Sequence, residues 1–220
     1  MKLSIYLFRH GQTTYNEHGW FTGCLDAKMT KSGYRSAGTI ARKLQNKNID
    51  VAYHSHLSRS KETLKEVLRF HPECREILED DHLIERCYGD LEGRSHRSFQ
   101  DEVKKKVLAA VEQKYGELEN PSRQKFGAEA AQQIFQAVHR SYDVPPPDGE
   151  SLKTVEKRVR SFIKDLLKKM KKERINVAIS AHGNSMRPFR RYFEKLSVAE
   201  MLQLENPWDE YFEYIVSVGE

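Results

Sequence analysis

Strands alternating with helices along the 220-residue chain predict an α/β fold. The expected form is a three-layer sandwich with a mostly parallel central sheet, helices on both faces and a helical lid insertion. Two further observations support this. The runs Lys2–Phe8, Asp50–His54 and Asn176–Ser180 are short and rich in branched and aromatic residues, as inner strands are. The first and the last of them run directly into histidine-glycine, His10-Gly11 and His182-Gly183. Ligands in such sheets bind beyond the carboxyl ends of strands.

The elements follow in order. After the first strand, Thr30 reads as the N-cap of a helix to about Asn46, with Ile40 and Leu44 one turn apart on its apolar face. Ser58 reads as the cap of a helix to about Phe70, burying Thr63, Leu64, Val67 and Leu68. Glu76–Leu78 is a further strand, and Ile84–Gly93, with Gly89, Asp90 and Gly93, is a loop. Ser98–Ser141 is helical in pattern, with breaks near Asn120-Pro121 and at Gly127. The insertion at about 94–144 is thus a helical lid in an otherwise single domain spanning 1–220. Val144-Pro145-Pro146-Pro147-Asp148-Gly149 excludes helix and inner strand. A long amphipathic helix occupies Ser151–Lys172. Helices at Met186–Lys195 and Ser197–Leu204 follow the histidine-glycine strand, the second opened by the capping box Ser197-Val198-Ala199-Glu200. Tyr211–Val218 is the last strand.

Composition narrows the function. The chain is 38% hydrophobic and 31% charged, a globular balance. No apolar run approaches the ~20 residues of a membrane span. Leu3–Phe8 is too short for a signal-peptide apolar region. A cytoplasmic location is expected. Cys24, Cys74 and Cys87 lack a C-x-x-C spacing, so reduced thiols are expected, with Cys87 a packed thiol. His54 and His56 have no evident third ligand, so no metal is expected. The net charge of +5 suits an anionic partner: a phosphorylated metabolite, nucleic acid or a membrane surface. Ser151–Arg174 holds ten basic and three acidic residues, which reads as a solvated helix face. No nucleic-acid recognition motif accompanies the charge, so neither nucleic acid nor membrane is expected as a partner.

Arg9-His10-Gly11 at a strand mouth carries the first chemical signal. A neutral imidazole in the right tautomer is a good nucleophile, and an adjacent arginine can clamp a phosphoryl group. The run Arg9-His10-Gly11-Gln12-Thr13-Thr14-Tyr15-Asn16, followed by Phe21-Thr22-Gly23, resembles the signature of the histidine phosphatase superfamily. In particular it is similar to the short-form phosphoglycerate mutases that depend on 2,3-bisphosphoglycerate. Four more blocks resemble the family's in the same order: Ser55–Ser60, Glu85–Gly93, Arg140–Pro147 and Ala181–Arg187. The resemblance spans about residues 3–205.

The resemblance implies roles. His10 is the phosphorylated nucleophile, surrounded by Arg9, Arg59 and His182. Glu85 is the acid/base group that protonates the leaving oxygen. Asn16 and the backbone at Gly23 and Asn184 hold phosphoryl oxygens or substrate. Tyr88 and Arg140 take the substrate carboxylate and distal phosphate. Gly11, Gln12, Thr22, Arg86, His96, His139 and Gly183 complete the binding set. No metal is needed, because arginines supply the positive charge.

The chain also departs from that pattern. His96 and His139 stand where these mutases usually have lysine and arginine, replacing permanent cations with groups mostly neutral at pH 7. Pro207-Trp208-Asp209 replaces the usual Pro-Thr-Gly, and the long segment usual after the triple proline is missing. The resemblance implies a glycolytic and gluconeogenic isomerase of 3-phosphoglycerate and 2-phosphoglycerate, primed by 2,3-bisphosphoglycerate. A phosphohistidine-dependent phosphatase of small phosphorylated metabolites is the alternative. The substrate is a small phosphorylated three-carbon acid, and the sequence allows a homodimer without requiring one.

Overall fold

A computed structural model describes residues 1–117 and 120–218. Its centre is a five-stranded sheet of β1 (Lys2–Arg9), β2 (Val51–His54), β3 (Glu76–Glu79), β4 (Val177–Ala181) and β5 (Tyr211–Ser217), ordered β3-β2-β4-β1-β5. The first four strands are parallel; only the edge strand β5 runs antiparallel, against β1. Two-residue periodicity in β1 explains why both faces are covered. Leu3, Ile5 and Leu7 join one core cluster, packed by α6 (Leu152–Glu173) and α7 (Gly183–Glu194). Tyr6 and Phe8 join the other, packed by α2 (Lys31–Leu44) and α3 (Ser58–Leu68). β2 and β4 are buried at every position, as strands sandwiched between helices must be.

The lid is a hairpin of α4 (His96–Tyr115) and α5 (Asn120–Arg140). Gly127 does not break α5. A Cβ there would press on Lys104 and Leu108, so the glycine lets the two helices approach closely. Phe99 of α4 and Phe135 of α5 join Phe21, Tyr88 and Leu91 in a small third cluster that ties the lid to the sheet domain.

Several local expectations are corrected. α7 begins at Gly183, not Met186. Gly183-Asn184-Ser185 has low helix propensity, but the Ser185 hydroxyl accepts from the His182 amide (3.2 Å) and fixes the turn. Leu57, not Ser58, holds the N-cap position of α3; the Ser58 amide and hydroxyl both donate to Asp26. A short helix α1 (Thr14–His18) is opened by a Thr13/Asn16 capping box; it buries no residue, so hydrophobic periodicity could not reveal it. α8 (Val198–Gln203) carries the expected capping box. The largest correction concerns the cysteines. Cys24 and Cys87 form a disulfide, with Cα atoms 5.1 Å apart, and only Cys74 is free. Sixty-three residues separate the bonded pair, a distance across which sequence spacing says nothing of proximity.

Candidate active site

The carboxyl ends of β1 and β4 are neighbours, so the two histidine-glycine turns meet. The His10 and His182 rings lie 4.9 Å apart, 3% and 0% exposed. His10 is anchored by its amide on the Ala181 carbonyl and by its ring: Nδ1 lies 2.7 Å from the Gly11 carbonyl. A carbonyl only accepts, so Nδ1 carries the proton and Nε2 keeps its lone pair. Burial, Arg59 and Arg9 push the pKa of His10 well below the usual imidazole value, which keeps the ring neutral.

His182 is also held neutral, by burial, Arg59 and His10. Its Nε2 lies 2.7 Å from the Ser55 hydroxyl, and its buried Nδ1 has no partner among the described residues. With the hydroxyl donating to Nε2, Nδ1 carries the proton. Ser55 is a residue whose role sequence reasoning missed; it stands first in the block that also carries Arg59.

Two arginines flank the histidines. Arg59 is fully buried and donates to the Gly23 and Leu25 carbonyls (2.8 and 2.7 Å). Burial lowers its pKa to about 10, which leaves it cationic at neutral pH. Gly23 has φ +51°, and a Cβ would strike Glu92, so only glycine fits where this loop folds over the arginine. Arg9 donates to the Asn206 carbonyl (3.1 Å), and its guanidinium stacks on Trp208 at 4.6 Å. Both arginines keep a buried Nε without a partner among the described residues.

Glu85 faces these groups, 8% exposed. Its Oε1 accepts from the Arg86 and Asn184 amides (2.8 and 3.1 Å), so the carboxylate is aimed by main chain alone. Arg158 steadies the segment, donating to the carbonyls of His82, Ile84 and Glu85 and to Glu150. The disulfide joins the Gly23 loop to the Glu85 loop, and Glu92 accepts from the amides of both Cys24 and Tyr88. His10, Glu85 and His182 could each offer a donor atom to a metal within 4.8 Å of the others. Two adjacent guanidinium charges oppose a divalent cation there and favour an anion.

The cavity above these groups is about 250 Å³, small enough to suit a metabolite. Of the residues singled out in the sequence, Arg9, His10, Asn16, Thr22, Gly23, Arg59, Glu85, Tyr88, His96, His139, Arg140, Gly183 and Asn184 line it. Gly11, Gln12, Arg86 and His182 do not; His182 lies fully buried beneath the wall, beside the His10 ring. Gly11 packs on Gly33, where a Cβ would run into the Gly33 carbonyl. Gln12 bonds Thr30 at the start of α2. Arg86 is fully buried behind the wall, donating to the carbonyls of Glu150 and His139. Arg187, Glu205 and Trp208, none of them assigned from sequence, also line the cavity.

The two histidines at cation positions behave as aromatic rings. His139 stacks on Phe135 and Tyr88, and His96 packs edge-on to Phe21 and Phe135. Burial lowers the pKa of both, that of His139 to about 3 with help from His96 and Arg140. Tyr88 is pushed up to about 12 by burial and Glu85 and stays a phenol; it accepts from the Asn184 amide nitrogen (3.2 Å).

Residues 5–114 and 109–210 match the family described as histidine phosphatase superfamily (branch 1). The chain belongs to this superfamily. It is 36% identical, over 91% of its length and 84% of the relative's, to a 2,3-bisphosphoglycerate-dependent phosphoglycerate mutase from Parvibaculum lavamentivorans. It is 32% identical to one from Chelativorans sp., over 93% of this chain and 88% of the relative. Among solved structures, a phosphoglycerate mutase from Bacillus anthracis superposes with a TM-score of 0.70 at 19% identity, covering 98% of this chain and 88% of that one. A mycobacterial glucosyl-3-phosphoglycerate phosphatase gives 0.71 at 20%, covering 98% and 91%. These superpositions establish the shared superfamily fold. Among the described residues, no helix is long and apolar enough to cross a membrane.

Proposed function

We propose that this chain interconverts 3-phosphoglycerate and 2-phosphoglycerate, in glycolysis and gluconeogenesis and in the cytoplasm, through a phosphohistidine at His10 primed by 2,3-bisphosphoglycerate. The mutase names of its relatives support the reaction. The observation that carries the mechanism is the state of His10: buried between Arg9 and Arg59, with Nδ1 tied to Gly11 and Nε2 open.

In this reading Nε2 attacks the phosphorus and the P–O bond to the glycerate breaks. Glu85, in its acid form, gives its proton to the departing oxygen. Arg9, Arg59 and the His182 Nδ1–H hold the equatorial oxygens, where negative charge accumulates. The Ser55 hydroxyl keeps that proton on Nδ1. For return transfer, the Glu85 carboxylate takes the proton of the incoming hydroxyl as its oxygen attacks phospho-His10. The N–P bond breaks, and the histidine is again neutral. Asn16, the Gly23 and Asn184 backbone, Tyr88 and Arg140 orient the glycerate. The protein's own cations supply the charge stabilisation, so no step calls for a metal.

One observation favours a second activity, phosphate release to water. His96 and His139 are neutral rings where a multiply charged intermediate needs cations to be retained. The test is an assay of pure protein on 3-phosphoglycerate, with and without 2,3-bisphosphoglycerate, measuring isomer and free phosphate together. Primer-dependent isomer exceeding phosphate is expected. Phosphate alone would replace the mutase reading with the phosphatase one.

A further inference from the structure

The charge on the cavity wall is uneven. Four arginines and two carboxylates line it: Arg9, Arg59, Arg140 and Arg187 against Glu85 and Glu205. Arg9 and Arg59 flank His10 and Glu85 faces it. At the far end, with both histidines neutral, only Arg140 and Arg187 remain as cations among the described lining residues.

These two differ in kind. Arg140 closes α5 and pairs with Glu205 at 3.0 Å, and the Glu205 side chain is 77% exposed. Arg187 is 8% exposed on the first turns of α7. Its Nη1 donates to the Met201 and Leu202 carbonyls at the end of α8 (3.2 and 2.7 Å), which fixes the plane of the guanidinium. One nitrogen makes both structural bonds, and the residue lines the cavity. No carboxylate ion-pairs with it among the described residues. Burying a cation without a directly paired anion is costly, and proximity to Arg140 adds repulsion that Glu205 and Glu85, at longer range, offset only in part. An anion bound between the two relieves both costs, and a planar guanidinium held in place suits a carboxylate or phosphate.

We propose that Arg187 is a substrate-binding residue which, with Arg140, receives the anionic group at the end of the substrate opposite the phosphoryl group at His10. Arg187 is the fixed half of this receptor and Arg140 the half held by Glu205 until substrate arrives. The proposal deepens the mutase reading and rests on it for the identity of the ligand, a phosphorylated acid.

The test compares 3-phosphoglycerate with glycerol 3-phosphate, in which a hydroxymethyl group replaces the carboxylate. Calorimetric affinities are measured for wild type, Arg187→Gln and Arg187→Lys. Wild type is expected to bind the acid at least tenfold more tightly than the alcohol. Arg187→Gln, which removes the charge and keeps a polar side chain, should lose about tenfold or more in acid affinity and less than twofold in alcohol affinity. Arg187→Lys should recover part of the discrimination. Equal binding of the two ligands by wild type overturns the proposal, as does an equal loss for both in Arg187→Gln. Should the glutamine variant not fold, nitrogen NMR of wild-type arginine side chains decides, with the Arg187 signal assigned by the lysine variant. A shift with the acid and not the alcohol supports the proposal, and no shift with either overturns it. Isomer formation is followed in the same samples. Discrimination that depends on Arg187, in protein making no 2-phosphoglycerate, overturns the mutase reading and supports the receptor.

Discussion

At the strand-end half of the cavity, Arg9, His10 and Arg59 are each held by main-chain carbonyls, and His182 by the Ser55 hydroxyl. At the lid half, His96, His139 and Arg140 hang from two helices that pack largely on each other and reach the domain through a few aromatic rings. The first half owes its geometry to the sheet, whose parallel β1 and β4 leave little room for alternatives. The second owes it to side-chain packing, which substitution readily changes. The contrast teaches that the transfer chemistry and the choice of substrate rest on separable parts of the chain, and it can be broken or sharpened at several points.

The largest effect belongs at the nucleophile. His10→Ala should lower turnover by ~10⁴-fold or more and abolish acid-labile phosphate on the protein. Retained label would move the nucleophile elsewhere. Glu85→Gln should slow turnover by ~10²–10⁴ with little change in KM, the range of general acid–base catalysis. Ser55→Ala should cost about tenfold in kcat, the worth of one buried hydrogen bond that sets a tautomer. An unchanged kcat would leave the His182 tautomer without its stated cause.

The disulfide spans both parts, since it ties the Gly23 loop to the segment leading from Glu85 to Tyr88. Replacing Cys24 and Cys87 by serine should cost ~2–4 kcal/mol of stability, which for a chain of this size lowers Tm by ~5–15 °C. Reductant should lower the wild-type Tm in the same way and leave the double variant unmoved. A bond of this kind is unusual in the cytoplasm, so its redox state trapped by alkylation in intact cells tests the proposed location.

The lid half should respond to acid. His139 has a folded pKa of about 3 against about 6.5 when unfolded. Unfolding therefore takes up a proton between these values, and stability present above pH 6.5 is lost as pH falls toward 3. His139→Asn should reduce the slope of stability against pH by about one proton between pH 4 and 6, ~1.4 kcal/mol per pH unit. An unchanged slope would mean that the ring is charged in the folded protein. The smallest effect belongs at the rim: Glu205→Gln frees Arg140 from an exposed pair worth ~0–1 kcal/mol and should lower KM by up to about fivefold.

The same contrast governs how far the sequence could be read. Strand-end chemistry was legible because hydrophobic runs ending on histidine-glycine mark both strands and site at once. The order of the helices followed from caps such as Thr30 and Ser197, both of which hold those positions. What escaped depends on contacts between distant segments. Cys24 meets Cys87, Ser55 meets His182 across 127 residues, and Arg187 meets Arg140 and Glu205 at the cavity wall. Arg86 escaped in the opposite sense: adjacent to Glu85 in sequence, it points behind the wall. The pairing of Arg140 with Glu205 depends on how the C-terminal loop folds back, which no local pattern encodes.

The central claim is that His10 carries the phosphoryl group and returns it to the glycerate. One chase experiment tests it: protein labelled from radioactive 2,3-bisphosphoglycerate is freed of excess label and mixed with unlabelled 3-phosphoglycerate. The account predicts label on His10 that leaves within a turnover as bisphosphoglycerate and 2-phosphoglycerate. Label that leaves only as inorganic phosphate, or that was never on His10, contradicts it.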